Sequence, residues 1–365
     1  MSLPRNPLLS STIYKLRQEF LELEKDSLKP KTWFKLTETM EKVVITGVIP
    51  TRGCSWALSE TGGCSVCGYI NDSSRDHKIP SEQIIEHIQQ SLNQANPSKP
   101  IEFKLFNSGS FFDEDDIPQK LRSQIIDLLK KPNKIRLFSV ESRPEYLLNH
   151  QDIINETNIR LKPITLEIGV GMESSNDAIL RDCWNKGFLL DDYRESVQIT
   201  RLNGIRIKTY VLIKPPFLTE LEAICDSIRT SIDAIEIGTD IISFNPCTVQ
   251  NGTLVNFLAK KNRFSPPWLW SVLHVIKTIR NQFPEQELIC EPIAAGKQRG
   301  PHNCGKCDKN VLDLINRVIN SKQIPNDLSN ICPCYKRWQV LVTTPIEVFR
   351  TRNHSKLRFL NPLNE

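Results

Sequence analysis

The sequence predicts an α/β protein: a parallel sheet with helices outside it, forming either a partial or complete (β/α) barrel or an open doubly wound sheet. Three observations carry that expectation. Short β-branched runs alternate with amphipathic helical runs through about six units. The rhythm breaks near Pro246, after which a cysteine-rich, basic stretch closes the chain. The length, 365 residues, exceeds what one small core needs and suits one large domain with appendages.

Residues 11–26 place Ile13, Leu16, Phe20 and Leu23 at helical spacing, which predicts an amphipathic helix lying on the body. The following KPKTWFKL, with Pro30, reads as a loop. KVVITGVI (42–49) is the first strand, and PSEQIIEHIQQSL (80–92) puts Ile84, Ile85, Ile88 and Leu92 on one helical face. IEFKLFN (101–107), KIRLFSV (134–140), ITLEIGV (164–170), RIKTYVLI (206–213) and AIEIGTDIISFN (234–245) continue the strands. Helices are expected at 117–130, near PEYLLN, over 175–203, at 219–232 and in WLWSVLHVIKTIRNQ. The C-terminus reads as β-like and basic. Residues 1–40 are therefore expected to form a helical extension, 41–285 the barrel domain and 286–365 a metal-binding, RNA-contacting extension.

Composition is ordinary, 39% hydrophobic and 24% charged, which argues against wholesale disorder. No apolar run approaches bilayer length and the N-terminus lacks a signal-like apolar core, so a cytoplasmic protein with no membrane partner is expected. Eleven cysteines then point to metal or redox chemistry rather than a disulfide scaffold. Cys183, Cys225, Cys247 and Cys290 stand alone and read as small buried hydrophobes.

Cys54, Cys64 and Cys67 share the loop directly after the first predicted strand, where a (β/α) barrel carries its functional loops. Three thiolates leave one metal position for chemistry, the pattern of a [4Fe–4S] cluster with one open iron; a structural zinc site completed by His77 is the alternative. Cys304, Cys307, Cys332 and Cys334 form two short-spaced pairs separated by 24 residues, which suits tetrahedral zinc stapling a helical insertion to a following strand. A second iron–sulfur cluster competes, and His302 is an alternative ligand. Residues 335–358 hold Lys336, Arg337, Arg350, Arg352, Lys356 and Arg358 against Glu347, the whole of the chain's net +5. With Tyr335, Trp338, Phe349 and Phe359 interleaved, this suits RNA phosphate contact plus stacking, or else a basic solvated hairpin.

The cysteine loop, the strand–helix succession and later motifs resemble the radical S-adenosylmethionine (SAM) superfamily. Nine residues between Cys54 and Cys64 depart from the superfamily's usual three, and Gly62 and Gly63 would allow the longer loop to bend back. The resemblance implies that the open iron binds SAM. It also implies that Ser108, Gly109 and Ser110, in NSGSF, receive SAM's amino group. Glu141 and Arg143, Glu173, and Lys214 become further SAM contacts, although each also reads as an ordinary loop, salt bridge, helix-start acid or strand-end lysine. The run from WALSETGGCSVCGY through FNSGSFFD, SRPEYL, VGMES and NKGF to FNPCTVQNGTLV resembles the radical SAM proteins of archaeosine biosynthesis, with Elp3-like tRNA-modifying enzymes as more distant relatives. That implies a lyase working with archaeosine synthase, a tRNA-guanine transglycosylase-like partner. The substrate would be the lysine adduct of 7-cyano-7-deazaguanine in the tRNA D-loop, and the product archaeosine. Gln250 and Asn245 are substrate candidates at most, a polar loop being the simpler reading. Another radical tRNA-modifying enzyme, or a zinc-binding RNA-binding protein without redox chemistry, are the alternatives.

Overall fold

The computed structural model describes residues 5–25, 30, 32–75, 80–96, 98–322, 328 and 330–344. Eight strands form one sheet in sequential order: β1 (Trp33–Glu38), β2 (Val43–Val48), β3 (Ile101–Phe106), β4 (Ile135–Ser142), β5 (Thr165–Glu173), β6 (Arg206–Ile213), β7 (Ile241–Pro246) and β8 (Glu287–Cys290). β1 runs antiparallel to β2, and every later pairing is parallel. Parallel neighbours in chain order, joined by right-handed crossovers, put all the helices on one face. The sheet therefore curls around its other face as a partial barrel; a doubly wound sheet would reverse its strand order.

Helices α1 (Pro7–Leu23) and α2 (Ser55–Leu58) flank the first hairpin, and α3 (Ser81–Asn93), α4 (Gln119–Lys130), α5 (Pro144–Asn149) and α6 (Gln151–Leu161) lead into β5. A short α7 (Asp177–Ile179) runs into a π-turn at Leu180–Trp184, followed by α8 (Leu190–Leu202). Next come α9 (Glu220–Ile237), α10 (Leu254–Lys260), α11 (Leu269–Gln282), α12 (Asp308–Asn320) and α13 (Cys334–Thr343). No helix among the described residues is long and apolar enough to cross a membrane.

Four local readings change. WFKLTE is strand β1 rather than loop; its Phe34 ring occupies the space a side chain at Gly47 would need, so hairpin and glycine require each other. Residues 234–237 belong to α9, which a capping box at Thr219 and Glu222 opens and Gly238, at φ 114°, ends. Residues 287–290, past the expected barrel boundary, pair with β7 as β8. Residues 334–343 are helical, not β-like, because Cys334, Trp338 and Val342 recur at helical spacing on the buried face. The second cysteine group thus joins helices rather than tying a helix to a strand. Arg350, Arg352, Lys356, Arg358, Glu347, Phe349, Phe359 and His77 lie outside the described residues.

One hydrophobic core runs continuously from Val43 to Val342 and includes Cys307, Cys332 and Trp338, so the cysteine-rich tail shares the barrel's core. Inside the sheet a buried polar layer crosses three strands: Ser139 donates to Glu167 at 2.7 Å and Lys208 Nζ pairs with the same carboxylate at 3.2 Å. A smaller cluster, Leu9 and Ile13 with Leu254 and Leu258, fastens α1 to α10.

Candidate active site

The residues singled out in the sequence gather where the parallel strands end. The cysteine loop leaves β2 and is fixed by backbone and carboxylate bonds to the loop after β3. Cys54 N–H donates to the Ser108 carbonyl at 3.0 Å. Asp116 accepts Gly53 N–H at 2.7 Å, and Asp113 accepts the hydroxyls of Ser55 and Tyr146, each at 2.6 Å. Burial raises the Asp116 carboxyl against the bonds from Thr51, Gly53 and Asn107. Gly109 sits between these loops: a Cβ there would strike the Asp116 carboxylate and come within 3.0 Å of Cys54 N.

The long Cys54–Cys64 interval bends at Gly62 (φ 69°) and Gly63 (φ 82°), as expected of residues free of the Cβ constraint. It is clamped from the segment after β5. Asn185 Nδ2 donates to the carbonyls of Thr61 and Gly63 at 3.1 and 2.8 Å, and Ser65 Oγ donates to Cys183 O at 2.7 Å. Trp56 Nε1 returns a bond to Asn185 O at 2.8 Å. From the β7 loop, Gln250 accepts Gly68 N–H at 2.6 Å, so it seals the cysteine loop. From α1, the Arg17 guanidinium donates to the carbonyls of Cys67 and Cys64 at 2.9 and 3.4 Å. Desolvation pushes the Cys67 thiol up to about 11 and raises Cys54 as well.

Around this loop the other candidates divide. Ser110 Oγ accepts Arg143 N–H at 3.1 Å. The Arg143 side chain pairs with Glu145, donates to Lys186 O at 2.8 Å and lies over the rings of Trp56 and Phe188 at 5.4 and 5.5 Å. Burial opposes its charge, but Glu145, Cys54 and Cys64 hold it firmly protonated. Glu173 ends β5 in the left-handed region (φ 63°); its Oε1 pairs with Lys186 Nζ at 2.6 Å, and its buried Oε2 has no partner among the described residues. Glu141, raised by burial, accepts from Tyr210. Lys214, also left-handed (φ 71°), turns to Glu220 at 2.6 Å. Sequence reading missed Arg17, Lys186, Asn185 and Asp116. Asn185 and Lys186 lay inside the quoted NKGF, and the other two carried no local signal.

The second cysteine set is closed and compact. Its sulfurs lie 3.9 Å apart for Cys304–Cys307, 3.6 Å for Cys304–Cys332 and 3.4 Å for Cys307–Cys334. Four thiolates about 2.3 Å from one tetrahedral ion stand about 3.8 Å apart. Trp270 Nε1 donates to Cys334 Sγ at 3.2 Å, and Asn303 Nδ2 to Cys307 Sγ at 3.5 Å. His302 faces the Gly300 carbonyl at 2.8 Å and is no part of the set. Burial opposes ionisation of Cys304, yet bonds from the Lys306 backbone and the neighbouring cysteines bring it down to about 7.

Cys54, Cys64 and Cys67, by contrast, are not all within 4.8 Å of one another. Lys336 and Arg337 are exposed on α13, but Trp338 is 4% exposed and donates to Ser271 Oγ at 2.8 Å, while Tyr335 stacks on it. Trp338 is thus spent on the core and does not stack on RNA.

No protein-family model matches the chain. It is 33% identical to archaeosine synthase subunit beta of Methanosarcina acetivorans over 341 residues, 91% of this chain and 95% of that protein. Its identity to archaeosine synthase subunit beta of Thermococcus kodakarensis is 30% over 297 residues, covering 81% and 90%. An uncharacterised protein of Methanocaldococcus jannaschii is 34% identical over 305 residues, covering 82% and 81%. Among solved structures, the archaeal Elp3 of Methanocaldococcus infernus superposes with a TM-score of 0.50 at 16% identity, over 67% of this chain and 60% of that one. The likeness to Elp3 is one of fold, the partial barrel.

Proposed function

The chain belongs to the archaeosine synthase subunit beta family, and from that membership we propose that it is a cytoplasmic radical SAM lyase acting on tRNA. Its substrate is the lysine adduct of 7-cyano-7-deazaguanine in the D-loop. Working with the transglycosylase-like synthase subunit, it breaks the carbon–nitrogen bond of the lysine moiety to leave archaeosine. The observation that supports this most is the three-cysteine loop at the ends of the parallel strands, held there by bonds from the loops after β3, β5 and β7.

Cys54, Cys64 and Cys67 hold the [4Fe–4S] cluster. SAM would lie against Ser108, Gly109, Ser110, Glu141, Arg143, Glu173 and Lys214, and one feature fits it: the buried Glu173 Oε2, which has no partner among the described residues. When bound, the reduced cluster and SAM supply the power to remove an unactivated hydrogen atom, which side-chain acids and bases lack. This chain's residues do the rest. Gly109 lets the Asp116 carboxylate and the Cys54 backbone close in on the loop after β3, and Arg143 and Lys186 set fixed positive charge beside the cysteine loop. The aromatic wall of Trp56 and Phe188 limits water. Cys304, Cys307, Cys332 and Cys334 hold zinc, and Lys336 and Arg337, with Arg350, Arg352, Lys356 and Arg358, contact the tRNA backbone.

Anaerobically purified protein is expected to carry about four irons and one zinc. Cys64→Ala should lose the iron alone, and Cys334→Ser the zinc alone. Given reductant, SAM, adduct-bearing tRNA and the synthase subunit, the parent should form archaeosine. If it cleaves SAM but leaves the adduct intact, the substrate is wrong; if it holds no iron, the radical chemistry is wrong.

A further inference from the structure

Helix α1 lies outside the barrel, and a helix in that place reads as packing. Its attachment is more specific than packing demands. Asn6 donates to Asp182 at 3.0 Å and Ser10 to Asn185 at 2.8 Å, reaching the same segment that clamps the cysteine loop. The backbone at Tyr14 comes so close to Gly62 that a Cβ there would lie 2.5 Å from Tyr14 N. The helix is thereby pressed onto the loop that carries the three cysteines.

Arg17 projects from that face and is 1% exposed. One guanidinium nitrogen, Nη2, donates to the carbonyls of Cys67 and Cys64. Nε and Nη1 are buried without a partner among the described residues, and no carboxylate there pairs with the charge. An arrangement built only to pin two carbonyls would strand a full positive charge and two donors away from water. The groups it faces are the backbones of Cys64 and Cys67, so negative charge held on the three-cysteine loop would be the compensation nearest to hand.

We propose that Arg17 is a fixed electrostatic partner of the three-cysteine site, raising the reduction potential of the cluster held there. This rests on the cluster assignment above. A cluster with three thiolates gains one further negative charge on reduction, so an adjacent buried cation favours the reduced form. Arginine suits the task because its guanidinium stays charged in a dry site while its fork still holds the loop.

The test is a redox titration of the full-length, iron-loaded protein, following the reduced cluster's electron paramagnetic resonance signal in the parent, Arg17→Gln and Arg17→Lys. Iron and zinc content report loading and folding. Arg17→Gln should retain iron and become at least tenfold harder to reduce, a fall of about 59 mV for one electron. Arg17→Lys, which keeps the charge, should stay within about threefold of the parent. A Gln variant with full iron and an unchanged midpoint overturns the proposal. If Gln holds no iron, the Lys variant decides: iron-loaded and near the parent it supports the charge role, whereas iron-free or tenfold shifted it refutes it. A parent with no iron–sulfur signal would instead defeat the cluster assignment, before any variant is compared.

Discussion

Asp226 on α9 offers a direct measure of how the end of β5 is held. It is buried, accepts Ser174 Oγ at 2.7 Å through Oδ1, and leaves Oδ2 unpartnered. Burial, with Asp233 nearby, pushes its carboxyl up from 3.8 to about 7 against the Ser174 bond. The folded state therefore holds a proton that the unfolded chain has already released, and stability falls as pH rises through that interval. The penalty is absent below about pH 4, grows to about pH 7, and is constant above; its ceiling is about 4 kcal/mol. Asp226→Asn keeps the acceptor for Ser174 and removes the ionisation. The variant should be more stable than the parent at pH 8 by roughly 2–4 kcal/mol, with about 2 kcal/mol of that gap closing at pH 5.5. Urea unfolding, run anaerobically at several pH values on both proteins, gives the difference. A gap independent of pH, or an Asn variant weaker at pH 8, would refute the reasoning.

Two further outcomes follow from the site. Lys186→Met strands the Glu173 carboxylate, both side chains being about one-tenth exposed, and should cost about 3–5 kcal/mol; adding Glu173→Gln should recover part of it in a double-mutant cycle, and strict additivity would show the pair uncoupled. Gly109→Ala should displace the Asp116 carboxylate and cost about 1–3 kcal/mol, lowering iron content while zinc is retained, so equal loss of both metals would contradict the local account.

Periodicity and residue type made much of the fold readable. The β2–β7 strands and most of the long helices were visible because period two and period 3.6 separate cleanly in segments such as 206–213 and 269–282. Edge strand β1 was not, since WFKLTE is largely exposed and its partner is a tertiary choice. The four residues of β8 were too few to show a period. Within the site, the strand pattern already set Cys54, Cys64 and Cys67 in the loop after the first parallel strand, while Glu141, Arg143, Glu173 and Lys214 were singled out through the family resemblance. Their partners were not: Arg143 with Glu145, Lys214 with Glu220, and Glu173 with Lys186 depend on side-chain direction in three dimensions. Arg17 stands among ordinary helical residues, and only burial against the cysteine loop sets it apart.

The sequential strand order has a consequence for how the chain is made. Each strand pairs with the one synthesised just before it, so the sheet can grow step by step as the chain leaves the ribosome. Helix α1 is made first and yet has no finished seat until Leu254 and Leu258 arrive with α10. The seat of α1 over the cysteine loop is thus completed only after α10 has been made, so the loop stays open on that side while the strands assemble.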